Sequence, residues 1–158
     1  SLVSMGKELG METVPVYPTA AETGIPVPLA DESVCIGPAP GRLSYLNIPA
    51  ILTAAALTNA DAVHPGIGFL SENEEFCRMV EEQGHTFNGP SPEHIASMGD
   101  KAVAKDTMKK LGLPLIPGSP GIVKTPEDGL KIAATCGFPV LSKAVAGGGG
   151  KGMKVAQK

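Results

Sequence analysis

Phe138-Pro-Val-Leu-Ser-Lys143-Ala-Val-Ala-Gly147-Gly-Gly-Gly150-Lys-Gly-Met153-Lys-Val155 is the stretch that decides how this chain reads. A short apolar run carries one lysine, four consecutive glycines follow, and an apolar alternation resumes after Lys151-Gly152. Side-chain-free residues leave backbone N–H groups able to wrap an anion, at a large entropic cost for ordering them. Lysines on both sides add positive charge. The order predicts strand, glycine flap, strand, with the flap closing over a nucleoside triphosphate. A plain linker between two elements is the alternative.

Two better-known glycine patterns are excluded. Gly147, Gly149 and Gly152 satisfy Gly-x-Gly-x-x-Gly, but the dinucleotide fingerprint requires a helix next. Met153-Lys-Val-Ala alternates as a strand does. A P-loop requires Ser or Thr after its lysine, and Gly152 stands there.

Two lysines are singled out. On a strand, Lys143 shares a face with Leu141 and Val145. Lysine is rarely buried unless paired, so a bound phosphate would be its partner. As part of an edge strand it would face water instead. Lys101 follows Met98-Gly99-Asp100 in the first turn of an expected helix. The macrodipole disfavours a cation there by roughly 0.3–1 kcal/mol. An anion nearby would offset that bias; a solvated lysine is the other reading.

The bulk of the chain fits a soluble globular protein. Of its 158 residues, 42% are hydrophobic and 18% charged, too apolar for disorder. No apolar run approaches the eighteen or so residues of a membrane span. Trp is absent and aromatics are scarce, so the core must be aliphatic. Residues 1–90 carry 3 Lys/Arg against 11 Asp/Glu, and residues 91–158 carry 10 against 5. The basic half suits phosphates. Its lysines lack interleaved aromatics, which argues against nucleic acid. Cys35, Cys77 and Cys136 follow no zinc or CxxC spacing; they read as small buried hydrophobes in a reducing compartment.

Along the chain, a helix is expected up to Gly10, then strands at residues 13–17 and 33–36 inside a Pro/Gly-rich stretch. A helix is expected from Tyr45 to Leu57, with Pro49 in its first turn. A strand follows at residues 60–64. Ser71-x-x-Glu74 reads as a capping box for a helix to Glu82, closed by Gly84. Residues 86–87 begin a strand, Ser91-Pro92 opens a short helix, and Asp100 caps a helix to Leu111. This alternation predicts an α/β, doubly wound parallel sheet through residue 97. From Gly112 the texture changes to a linker or edge strand. A helix capped by Thr125-Pro126 then leads into the flap. Ser1 falls inside a helix and Lys158 just inside a strand, so the chain is expected to be a fragment.

Together these pieces resemble the biotin carboxylase component of biotin-dependent carboxylases, most closely the acetyl-CoA carboxylase type. The resemblance lies in Ala30-Asp-Glu-Ser-Val-Cys-Ile-Gly37, Ser44-Tyr-Leu-Asn-Ile-Pro49, His64-Pro-Gly-Ile-Gly-Phe-Leu-Ser-Glu-Asn73, Gly89-Pro90, Met98-Gly-Asp-Lys101 and Lys143 through Met153. It implies a Rossmann-like N-terminal domain over residues 1–97, with the family's first strand missing. It implies the truncated start of an ATP-grasp domain over 98–158, including part of its lid.

The implied chemistry is ATP-dependent carboxylation of carrier-bound biotin by bicarbonate, with Mg²⁺ held by residues outside this segment; the alternatives are the same domain of a propionyl-CoA, methylcrotonyl-CoA or pyruvate carboxylase, or a non-catalytic nucleotide-binding paralogue. The implied nucleotide contacts are Lys101, Lys143, Gly147, Gly148, Gly149, Gly150 and Met153; no catalytic residue falls inside the segment. The implied partners are a biotin carboxyl carrier protein, carboxyltransferase subunits and a second copy of the full-length chain. The implied setting is the cytoplasm, or a plastid. Three positions depart from the family pattern: Ile67 where Tyr is usual, Val145 where Ser or Thr is usual, and Lys151 where Arg is usual.

Overall fold

The computed structural model describes residues 1–144 and 152–158, with the side chains of residues 101 and 102 also left out. The chain divides into two compact units, Ser1–Ala96 and Ser97–Lys158.

In the first unit, α1 (Leu2–Glu8) is capped by the Ser1 side chain, which accepts from the Ser4 N–H. It closes through Leu9, and Gly10 follows in the left-handed region. β1 (Val16–Tyr17) pairs in parallel with β2 (Val34–Cys35). The strand expected from Thr13 thus starts only after Pro15, which has no N–H to give to a ladder. Between β1 and β2 the irregular stretch contains a short helix, α2 (Pro26–Leu29), that composition did not announce. α3 (Ile48–Leu57) starts three residues later than expected: Asn47 is its cap, accepting from Ala50 N–H, and Pro49 sits in the first turn. β3 (Ala62–Val63) pairs in parallel with β4 (Thr86–Phe87).

α4 (Glu74–Glu82) lies between those two strands in sequence. Its cap is a correction. The Asn73 side chain accepts from Phe76 N–H at 2.7 Å, so Ser71 and Glu74 do not form the expected box. Asn ranks with Ser as a cap, and its position directly before the apolar periodicity decides the matter. α5 (Pro92–Gly99) follows.

The core of this unit is one cluster of Leu52, Leu70, Phe76, Cys77, Val80, Phe87 and Ile95. Phe76 and Phe87 meet edge to face at 6.0 Å between ring centroids, the arrangement their quadrupoles favour. Polar anchors complete it. Ser44, fully buried, donates to Pro40 C=O, and His85 Nδ1 meets Ala60 C=O at 2.7 Å. The Cys77 thiol contacts Pro90 C=O, and burial pushes its pKa up. It therefore stays protonated, as a structural cysteine should.

The parallel pairing is as expected, yet the described strands form two ribbons rather than one continuous layer. Val34 and Ile36 donate to Pro15 and Tyr17. Alternation along a parallel strand then turns the main-chain groups of Val16 away from β2. Thr86 and Asn88 donate to Asp61 and Val63, which leaves Ala62 in the same position on β3. Val16 and Ala62 both line one groove of about 320 Å³, floored by Ile51, Ala54 and Phe76. The groove is thus lined by residues of both ribbons.

The second unit has little interior among the described residues, where Ala133 is its one buried hydrophobic side chain. α6 (Lys101–Lys110) is capped by Asp100, whose Oδ1 accepts from Val103 N–H at 3.0 Å. Gly112 ends it with a φ of 72°. The 113–121 stretch forms no strand; Lys105 Nζ ties it to α6 by donating to Ser119 C=O at 3.0 Å. α7 (Pro126–Cys136) is capped by Thr125, which accepts from Asp128 N–H. β5 (Val140–Lys143) and β6 (Met153–Ala156) then pair antiparallel.

Candidate functional site

The β5–β6 hairpin brings sequence-distant residues face to face. Lys143 stands opposite Met153, and Leu141 opposite Val155. Residues two apart along a strand share a face, so all four side chains stand on one side of the hairpin. All four are exposed. The Lys143 ammonium makes no hydrogen bond or ion pair with a described residue. The other face carries Ser142 opposite Lys154, with Ser142 Oγ donating to Lys154 C=O at 3.4 Å.

The hairpin closes where Ala144 N–H donates to Gly152 C=O at 3.1 Å. Gly152 has a φ of 72°, and a Cβ there would lie 2.8 Å from the Ala144 Cβ. Glycine alone satisfies both conditions.

Three exposed apolar side chains beside one ammonium can hold a flat apolar ring and steady an anion attached to it. Of the residues singled out from sequence, Lys143 and Met153 are thus brought together as direct cross-strand partners. Gly147, Gly148, Gly149 and Gly150, with Val145 and Lys151, lie outside the described residues. Lys101 is placed by its backbone at the start of α6; its side chain also lies outside the description. Val155 was missed from sequence. Its signal was the Met153-Lys-Val155 alternation, which places it beside Met153 and, once the register is known, across from Leu141. No group of three or more His, Cys, Asp or Glu residues among the described residues could hold a metal ion.

The first unit carries its own exposed feature at the carboxyl end of β3. Gly66, Gly68 and Phe69 all have positive φ, and Ile67 between the glycines is 98% exposed. The Phe69 ring rests on Tyr45 at 5.0 Å between centroids.

A parallel α/β unit, followed by a unit whose antiparallel hairpin sets a lysine beside an apolar face, defines the architecture as α/β. Residues 2–95 match the family model for the biotin carboxylase N-terminal domain, and the chain belongs to that family. Residues 100–158 match the ATP-binding domain of the carbamoyl-phosphate synthase L chain.

Among curated relatives, biotin carboxylase of Pseudomonas aeruginosa is 54% identical over 150 residues, covering 94% of this chain and 33% of its own. Chloroplastic biotin carboxylase 1 of Populus trichocarpa is 47% identical, covering 99% of this chain and 30% of its own. The chain thus spans about a third of the length of the curated relatives it matches. Among solved structures, a Campylobacter jejuni biotin carboxylase described as a β,γ-ATP complex superposes with a TM-score of 0.93. It is 44% identical, over 99% of this chain and 35% of that one. The biotin carboxylase domain of Hydrogenobacter thermophilus 2-oxoglutarate carboxylase, in complex with MgADP, ADP and bicarbonate, gives 0.91. It is 46% identical, over 99% and 34%.

Proposed function

We propose that this chain is the N-terminal part of a biotin carboxylase, and that its second unit supplies nucleotide contacts. Lys143 and the four flap glycines grip the phosphates, Met153 lies against the base, and Lys101 adds a second positive charge. The observation that carries this reading is the register of the hairpin, which sets Lys143 against Met153 within the segment matched by an ATP-binding family model.

In the whole protein, ATP would activate bicarbonate, and the carboxyl group would pass to a ureido nitrogen of carrier-bound biotin. Mg²⁺ would supply charge neutralisation at the phosphates. The part played by this chain's residues is positioning and electrostatic stabilisation of the transferring phosphoryl group. The proposed partners are a biotin carboxyl carrier protein, carboxyltransferase subunits and a second copy of the full-length chain. Acetyl-CoA is the proposed final acceptor, in fatty acid synthesis. The matching biotin carboxylase subunit of pyruvate carboxylase, 46% identical over 99% of this chain, favours a 2-oxo acid acceptor as the second reading.

The test is calorimetric titration of the chain with ATP. Lys143→Ala and Lys101→Ala are each expected to weaken binding by about tenfold, the scale of one hydrogen bond to a charged group. Unchanged affinity in both variants would remove the two lysines from the site. The 158-residue chain alone is expected to show no bicarbonate-dependent ATP hydrolysis. Robust turnover would show that the groups outside it are dispensable.

A further inference from the structure

His64 sits directly after β3, at the start of the loop that presents Ile67. Its Nδ1 accepts the N–H of Gly66 at 3.0 Å. A ring nitrogen that accepts carries no proton, so this bond requires the neutral imidazole with its hydrogen on Nε2. Protonation would place a second N–H at Nδ1, facing the Gly66 N–H. Two donors would then point at each other, and the bond must open.

The rest of the loop has separate anchors. Ser71 N–H donates to Gly68 C=O at 2.9 Å, and Phe69 is held on Tyr45. Gly66 is thus tied back to His64 by its N–H, while the far end of the loop has its own anchors.

We propose that His64 is a positioning residue that holds the exposed Ile67 tip only while its imidazole is neutral. The loop thereby carries a proton-sensitive latch. Imidazole is the side chain whose ordinary charge change falls between about pH 5 and 8. His64 lines the groove with residues that include Val16, Tyr45, Ile51, Leu70 and Phe76. Among the other residues lining it, Tyr45 is the one with an ionisable side chain. No carboxylate, ammonium or guanidinium among the described residues lines the groove. Asp61 and Glu72 flank the loop in sequence without lining it. The inference does not depend on the proposed function.

The experiment is a pH titration of the chain followed by proton–nitrogen NMR. The Gly66 amide shift and the Ile67 methyl shifts are expected to move with the same midpoint as the His64 ring proton. The Tyr45–Phe69 ring contact is expected to persist across the range, which separates loop release from unfolding. In His64→Asn the side-chain oxygen can accept the same N–H two residues on, so the bonded Gly66 shift is expected at every pH. In His64→Phe the released shift is expected at every pH. A Gly66 amide that stays flat through the wild-type His64 titration overturns the proposal, with no variant required. So does a His64→Phe chain whose Gly66 amide still matches neutral wild type.

Discussion

The two units of this chain are built on opposite plans. The first gathers Leu52, Leu70, Phe76, Cys77, Val80, Phe87 and Ile95 into one cluster, and its net charge is acidic. The second buries almost no apolar side chain among the described residues, is net basic, and leaves Leu141, Lys143, Met153 and Val155 in solvent. The first unit is held by burial, whereas among the described residues the second is held by caps, a lysine tether and a hairpin ladder. The difference teaches where binding chemistry can be placed. A face free of core packing can meet a ligand without dismantling the fold.

The sharpest way to break this comparison is to delete a large side chain from each unit. Phe76 is 1% exposed and contacts Phe87, so Phe76→Ala is expected to cost about 3–5 kcal/mol. Leu130, 68% exposed on α7, is expected to change stability by less than about 0.5 kcal/mol when cut to Ala. Urea unfolding of the two variants measures both. Equal losses would mean that the second unit has an interior the comparison denies it.

A smaller effect is expected at the mouth of the hairpin. Gly152→Ala forces an L side chain into the left-handed region and brings a Cβ to 2.8 Å from Ala144. The backbone term alone is about 1–2 kcal/mol. The loss is expected to stay within the second unit. Hydrogen exchange at the Ala144 and Lys154 amides, which the alternation of the antiparallel ladder turns toward the partner strand, should accelerate, and exchange at Phe76 and Val80 should not. Acceleration in both units would make the hairpin part of a single cooperative structure.

What could be read in the sequence follows the same division. The caps Asp100 and Thr125, the Pro49 first turn and the β5–β6 alternation are local signals, and each is found where the sequence put it. The Asn73 cap was missed because Ser71 and Glu74 satisfy a two-residue pattern that weighs spacing above adjacency to the apolar run. The strands were over-extended because Pro15 interrupts one ladder and each ribbon offers a single partner strand. Non-local facts were out of reach. No pattern pairs Tyr45 with Phe69, or His85 with the carbonyl of Ala60 twenty-five residues earlier. For the site, Lys143 and Met153 could be named, but their direct opposition depends on register, which the nine intervening residues leave open.

The finest of these tests concerns charge in the acidic unit. Asp31 accepts from the Thr13 N–H at 2.8 Å and from the Thr13 hydroxyl at 3.0 Å, and it pairs with Lys7 at 3.3 Å. Thr13, through its backbone and then its hydroxyl, holds the Asp31 carboxyl below the ordinary carboxylate range, with a smaller part from Lys7. A depressed carboxyl contributes stability that is fully present above its unfolded value and is lost as pH falls through its folded value. The contribution of Asp31 should therefore be lost only as pH falls below the ordinary carboxylate range. The site is open to solvent, which screens the pair, so the effect is small. Asp31→Asn is expected to lower the urea midpoint of the first unit slightly at pH 7, with the gap to wild type closing as the solution is acidified below the ordinary carboxylate range. A gap that stays constant under acid would mean that the Thr13 and Lys7 contacts stabilise α1 and its following loop without any part played by the carboxylate charge.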